Sequence, residues 1–190
     1  RHSRCGRGMM CRNPYRIYHA AVPPAVQRLF PFYLFPDGGE AMKQRGFEIV
    51  SAYVGAGVLL PERKTGASAG YDLAAAAAVE IVPQGFAMVP TGLKTYMQAD
   101  EVLLLYIRSS MAVKRQLMLM NGVAVIDADY YGNEDNEGHI MCALYNSSRK
   151  AFHISKGDRI AQGLFMKYLL TDDDHTEGKR IGGMGSTGVQ

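Results

Sequence analysis

From Phe47 onward the chain is cut into short apolar, β-branched runs, most of them parted by turns bearing glycine, proline or asparagine. A chain patterned this way has no room for long helices and must bury its runs by pairing them in sheets. The runs are Phe47–Tyr53, Val79–Val82, Phe86–Tyr96, Glu101–Ile107, Leu117–Met120, Gly122–Ile126, His139–Tyr145, Ala151–Ile154 and Arg159–Leu170. Pro83-Gln84-Gly85 is a turn between two of them. Glu101–Ile107 is nearly all apolar, the pattern of a strand covered on both faces. Ser109–Gln116 alone carries a clear set of helix formers, with Ser109 or Ser110 as its natural N-cap. The expectation is an all-β sandwich or barrel with one short helix.

With 190 residues and 47% apolar content, the chain can build one domain around a sizeable core. Its net charge of +3 is mild, and the excess lies at the start. Arg1, Arg4, Arg7, Arg12, Arg16 and Arg28 all precede Asp37, the first acidic residue. No nucleic-acid face is therefore implied for the remainder. Pro23, Pro24, Pro31 and Pro36 break any long helix in the same stretch. Residues 1–41 are read as an extension outside the domain, non-native or upstream-translated, with a transit peptide or a docking arm as the other readings. The domain proper is expected over 42–170. Residues 171–190 turn polar and then glycine-rich, an arm expected to be mobile by itself. The cysteines are Cys5, Cys11 and Cys142, an odd count without a CxxC pair. That excludes a disulfide framework or a zinc knuckle and suits a reducing, cytoplasmic setting. No apolar run approaches the roughly 20 residues of a membrane span, so no membrane partner is expected.

Five stretches carry chemistry. Gly70-Tyr71-Asp72-Leu73 puts a carboxylate at the start of a strand, where an Asx turn is the plain alternative. Arg108-Ser109-Ser110-Met111-Ala112 joins the apolar strand to the helix; it reads either as a cap or as an anion-binding corner. Asn121–Gly132 is a β-branched strand running into Asp127-Ala128-Asp129-Tyr130, which sets carboxylates and a flat ring at one mouth. Gly157-Asp158-Arg159-Ile160-Ala161-Gln162 is a turn into a strand. Gly182-Gly183-Met184-Gly185-Ser186-Thr187-Gly188, after Lys179 and Arg180, is either a flexible terminus or a loop able to wrap a polyphosphate with backbone N–H groups. No activated Ser-His or Cys-His pair is visible in the sequence.

Taken in this order, the five stretches resemble the five motifs of the trimeric dUTPase family (dUTP nucleotidohydrolases), and the resemblance spans Phe47 to Gln190. It implies a jelly-roll-like β fold of the β-clip kind. It also implies a homotrimer with three sites at subunit junctions: the third motif from one chain, the first, second and fourth from a neighbour, and the tail from the third chain. The implied reaction is hydrolysis of dUTP to dUMP and pyrophosphate by water attack on the α-phosphorus, which limits uracil incorporation into DNA and supplies dUMP. Under the resemblance Asp127 activates the water, and Asp72 holds Mg²⁺ through water. Arg108, Ser109, Ser110 and Gln162 contact phosphates, and Asn121 reads the uracil edge. Tyr130 lies under the deoxyribose and leaves no room for a 2′-hydroxyl. Either Lys179 or Arg180, with Gly185, Ser186 and Thr187, closes over the phosphates.

The chain also departs from that pattern. Met184 stands where the family has a base-stacking aromatic, Ile107 replaces a proline, and Gln116 replaces a frequent glycine. Asn133-Glu134-Asp135-Asn136-Glu137 lengthens the hairpin after the third motif. Two rival classes remain to be set against these residues. A dCTP deaminase of the same fold needs a glutamate three residues before the asparagine that closes the next strand, where Ala143 precedes Asn146 here. A non-catalytic nucleotide-binding or signalling module on the same scaffold is expected to lack a catalytic carboxylate, yet Asp72 and Asp127 are both present.

Overall fold

Alternation within the strands sets the layers. In β6 (Glu101–Ile107) Leu103 and Leu105 are fully buried, while Leu104 and Tyr106, which alternate with them, are not. Successive side chains point to opposite faces, so one face of this strand belongs to the core and the other looks outward. The computed structural model describes residues 43–176 together with Gly178, Arg180 and Gly182. The expected extension over 1–41, and Lys179, Met184, Gly185, Ser186 and Thr187 of the expected arm, lie outside the described residues.

The chain is all-β and jelly-roll-like, with one short helix. The strands before β6 are β1 (Gly46–Ile49), β2 (Tyr71–Ala74), β3 (Val79–Ile81), β4 (Phe86–Pro90) and β5 (Leu93–Tyr96). After β6 come α1 (Ser109–Arg115), β7 (Leu117–Leu119), β8 (Ala124–Asp127), β9 (Met141–Asn146), β10 (Phe152–Ile154) and β11 (Arg159–Lys167). A four-stranded antiparallel sheet runs β2-β11-β6-β8, and a three-stranded one runs β4-β9-β7. β1 pairs with β5 and β10 with β3. Leu73, Leu103 and Leu105 of the first sheet meet Val89, Leu117 and Leu144 of the second in a common core. Each such side chain stabilises the fold by about 1.5–3 kcal/mol through apolar burial. Among the described residues no helix is long and apolar enough to cross a membrane.

Several boundaries differ from the sequence expectation, each for a local reason. The run Phe47–Tyr53 is a strand only to Ile49 and then a 3₁₀ turn over Ser51–Tyr53. The run Phe86–Tyr96 is two strands, broken at Thr91-Gly92. There the buried Thr91 hydroxyl donates to the Ile140 carbonyl at 2.7 Å, and Gly92 takes a φ of +70°. A Cβ on Gly92 would meet Val58 and Tyr53 side-chain atoms at 2.9–3.0 Å, so the break is built around glycine. Neither serine caps α1: Arg108 holds the N-cap place, without a side-chain cap bond. Gln116 ends the helix in the left-handed region at φ +55°, the conformation that glycine adopts most easily.

Candidate active site

The outward face of the four-stranded sheet sorts its side chains by register. Pairing sets Asp72 opposite Gln162 and Gln162 opposite Tyr106, which makes one row. Four residues back along β6, Met166, Val102 and Asp127 make a second row on the same face. Between them lie Leu164, Leu104 and Val125, and Val125 is 58% exposed. Polar chemistry thus stands at the two ends of a face whose middle is apolar.

The first row opens into a cleft of about 490 Å³ lined by Lys64, Ser68, Gly70, Asp72, Arg108 and Gln162. The Asp72 side chain is only 13% exposed and is held from two sides. Arg108 Nε lies 2.8 Å from Asp72 Oδ1, and an Arg159 terminal nitrogen lies 2.9 Å from Oδ2. Two guanidinium groups against one carboxylate leave the corner net positive, which suits a polyanion. Gly70 matters here by what it lacks. A Cβ there would stand 2.9 Å from Gln162 Oε1 and 3.3 Å from Gln162 Cβ, so the glycine makes the space Gln162 occupies. Ser109 and Ser110 are exposed in the first turn of α1, directly after Arg108. Ser110 lines an adjoining cleft of about 420 Å³ with Lys114, Arg115 and Arg159.

The second row opens into a cleft of about 530 Å³ lined by Met97, Asp127, Asp129, Tyr168 and Arg180. Asp127 closes β8 and keeps a half-exposed carboxylate. Arg180 Nε donates to Asp129 Oδ1 at 2.8 Å, and its terminal nitrogen pairs with Asp127. The same guanidinium lies 5.7 Å from the centre of the Tyr130 ring. Tyr130 stands in a 3₁₀ turn over Ala128–Tyr130 and is 6% exposed. Asn121 is exposed in the turn before β8, at the opposite end of that strand from Asp127. Cys142 is buried, and burial pushes its thiol up to about 12, so it is no nucleophile.

The structure therefore brings together Asp72, Arg108 and Gln162, and separately Asp127, Tyr130 and Arg180. It does not join the two groups within one chain. Four residues along β6 and three strand spacings across the sheet put the Asp72 and Asp127 backbones about 20 Å apart. The resemblance assigns the tail to a neighbouring chain's site; within the single chain, Arg180 lies on its own Asp127. The sequence does not fix the facing of Arg159, and no motif singles out Lys64. Pairing of Asp72 with Gln162, across strands separated by many residues, is the missing signal that places Arg159 and Asp72 together.

Fold and face together define a jelly-roll-like β protein with an arginine-flanked polar row and a carboxylate row at opposite ends of one outward sheet face. Residues 57–188 match the dUTPase family profile. Over 150 residues the chain is 50% identical to the deoxyuridine 5′-triphosphate nucleotidohydrolase of Lactococcus lactis subsp. lactis strain IL1403, covering 78% of this chain and all of the relative. It is 37% identical over 156 residues to the enzyme of that name from Tolumonas auensis, covering 77% of this chain and 99% of the relative. The crystal structure of dUTPase from Streptococcus mutans superposes with a TM-score of 0.64 at 46% identity, covering 67% of this chain and 98% of that one. The dUTPase from phage phi11 of S. aureus shares the fold, with a TM-score of 0.59 at 20% identity, covering 72% of this chain and 97% of that one. The chain belongs to the dUTPase family.

Proposed function

We propose that this protein is a dUTP diphosphatase that works as a homotrimer, each site taking Asp127 and Tyr130 from one copy and Asp72, Arg108, Ser109, Ser110 and Gln162 from another. It hydrolyses dUTP to dUMP and pyrophosphate. The observation that carries the shared site is the separation of the two rows. A base must come within hydrogen-bond reach of the attacking water, and the phosphate ligands must hold the same triphosphate. Carboxylates on backbones about 20 Å apart in one chain are too far apart to serve one phosphate chain, whereas a second copy docked on the apolar middle of the sheet can close the gap.

In this site Asp127 orients the water and takes its proton, a contribution of about 10²–10⁴-fold. Arg108, Ser109, Ser110 and Gln162 stabilise the charge that builds on the phosphate oxygens. Asn121 reads the uracil edge, and the Tyr130 ring walls off a 2′-hydroxyl. Either Lys179 or Arg180 serves in the tail that covers the phosphates.

Mg²⁺ fits the donor chemistry. It commonly binds through one or two carboxylates, several waters and substrate phosphates rather than in an all-protein cage. Asp72 is a hard oxygen donor in the proposed phosphate row; Oδ2 accepts from Arg159 and Oδ1 is ion-paired with Arg108, so an outer, water-mediated role matches its spare acceptor capacity. Among the described residues no cluster of three or more His, Cys, Asp or Glu is placed to hold a metal. When bound with the nucleotide, the ion would offset triphosphate charge. A variant of the phage phi11 dUTPase coordinates a structural Mg(II) ion. A cytoplasmic setting agrees with the odd cysteine count and the free, buried Cys142.

The test is pyrophosphate release from dUTP, dCTP, dTTP and UTP with and without Mg²⁺. Release from dUTP alone, dependent on the metal, is the expected result. Ammonia liberated from dCTP, or indifference to the base, would overturn the assignment.

A further inference from the structure

The lengthened hairpin, residues 133–138, is folded around Tyr130 and is itself pinned from the far side. Asn136 Nδ2 donates to the Tyr130 hydroxyl oxygen at 2.9 Å, and that hydroxyl donates to the His139 carbonyl at 3.1 Å. Asn133 Nδ2 donates to the Tyr130 carbonyl and to Asn136 Oδ1, both at 2.9 Å. Asn136 Oδ1 also accepts the Gly138 amide at 3.0 Å, so every polar atom of the Asn136 side chain is used inside the loop. Gly138 has a φ of +85°, and a Cβ there would stand 2.6 Å from the Tyr130 carbonyl oxygen. The loop backbone thus presses directly on that of Tyr130. On the far side Glu137 accepts from the Ser51 amide at 3.2 Å and from Lys94 Nζ at 3.1 Å. Lys94 in turn stands 5.3 Å from the centre of the Tyr131 ring, whose hydroxyl donates to Glu48 at 2.6 Å.

A ring held only by packing can tilt about its χ angles, whereas one held through its hydroxyl as well has its far end fixed. The Tyr130 hydroxyl is 9 residues in sequence from His139 and 6 from Asn136, so the hairpin loop and the residue that follows it supply both partners. Burial of Tyr130 to 6% exposure removes water as a substitute partner for that hydroxyl.

We propose that Asn136 is a positioning residue for sugar selection: it fixes the plane of the Tyr130 ring and so sharpens the rejection of a 2′-hydroxyl. This rests on the reading of Tyr130 as the wall beneath the deoxyribose. Rejection by a wall depends on where the wall stands, and a shift of a fraction of an ångström admits an extra oxygen. Loosening Asn136 therefore raises turnover of UTP, a gain that simple structural damage does not produce.

The test compares kcat/KM for dUTP and UTP in the wild type, Asn136→Ala, Tyr130→Phe, the double variant and Tyr130→Ala, in the full chain with Mg²⁺. Asn136→Ala should lower the dUTP-to-UTP ratio by about tenfold, the scale of residues coupled in one hydrogen-bond network. UTP turnover itself should rise. Tyr130→Phe removes only the hydroxyl and should lower the ratio similarly, and the double variant should add little to either change. Should Asn136→Ala fail to fold, Tyr130→Phe decides the matter, since it keeps the Asn133–Asn136 and Asn136–Gly138 bonds and loses only those of the hydroxyl. If Tyr130→Ala relaxes selection while Asn136→Ala and Tyr130→Phe leave the ratio at its wild-type value, the positioning role is overturned and the wall stands. If Tyr130→Ala also leaves the ratio unchanged, the wall itself is wrong and the inference falls with it.

Discussion

Asp72 and Asp127 are both carboxylates at the ends of strands, yet their surroundings differ in the way their proposed roles require. Asp72 is mostly buried between Arg108 and Arg159, and a carboxylate so paired orients its partners. Asp127 is half-exposed at an open cleft, which is where a proton acceptor for water must stand. Asp127→Asn should accordingly lower kcat by at least about 10²-fold while dUTP still binds, because the amide keeps the shape and loses the base. Single-turnover kinetics beside a nucleotide-binding titration check this, and near-normal turnover would remove Asp127 from the mechanism. Gly70→Ala should act differently. The new methyl presses on Gln162, whose Cβ is only 3.3 Å away, so KM for dUTP should rise several-fold with less change in kcat. An unchanged KM would mean that Gln162 does not touch the substrate.

At the scale of elements, the start of the domain is tied in by one ion pair. Arg45, just before β1, donates to Glu101 at the head of β6 through Nε at 2.9 Å, and Glu101 is 4% exposed. The hydrogen bond from Arg45 holds the Glu101 carboxyl below its usual range, against the opposing effect of burial. A depressed carboxylate contributes stability that is complete above its unfolded-state pKa, about 4.3, and is lost as pH falls through the folded value. Glu101→Gln should therefore lower the thermal midpoint at pH 7. It should also flatten the fall of that midpoint between about pH 5 and pH 3. Calorimetric scans across that window read both, and parallel curves for the two proteins would exclude the linkage. The apolar runs made most strands legible before any coordinates, since alternation and turn chemistry are local. What stayed hidden was set at long range. Nothing near Thr91 in sequence announces that its hydroxyl bonds the Ile140 carbonyl, and nothing near Ser51 announces that its amide meets Glu137. The serines after Arg108 look like caps, but the extended backbone at Arg108 starts the helix one residue earlier. The five chemical stretches were readable as residue types. Their partition into two rows was not, because that depends on the β2-β11-β6-β8 order.

The domain presents those two rows at opposite ends of an outward apolar face, and a second copy is expected to bring them together. Mixed assembly tests it. One chain carries Asp127→Asn and the other Asp72→Asn; each homotrimer alone should be nearly inactive and should be shown to be folded and trimeric. Unfolded together and reassembled at equal amounts, every mixed ring contains one junction where an intact Asp127 meets a neighbour's intact Asp72. Counting rings of three with random composition, activity should recover to about a quarter of the wild-type value and fall away on either side of equal mixing. Background activity at every ratio, with mixed trimers verified by native mass measurement, would mean that both carboxylates serve a site from the same chain and would contradict the account.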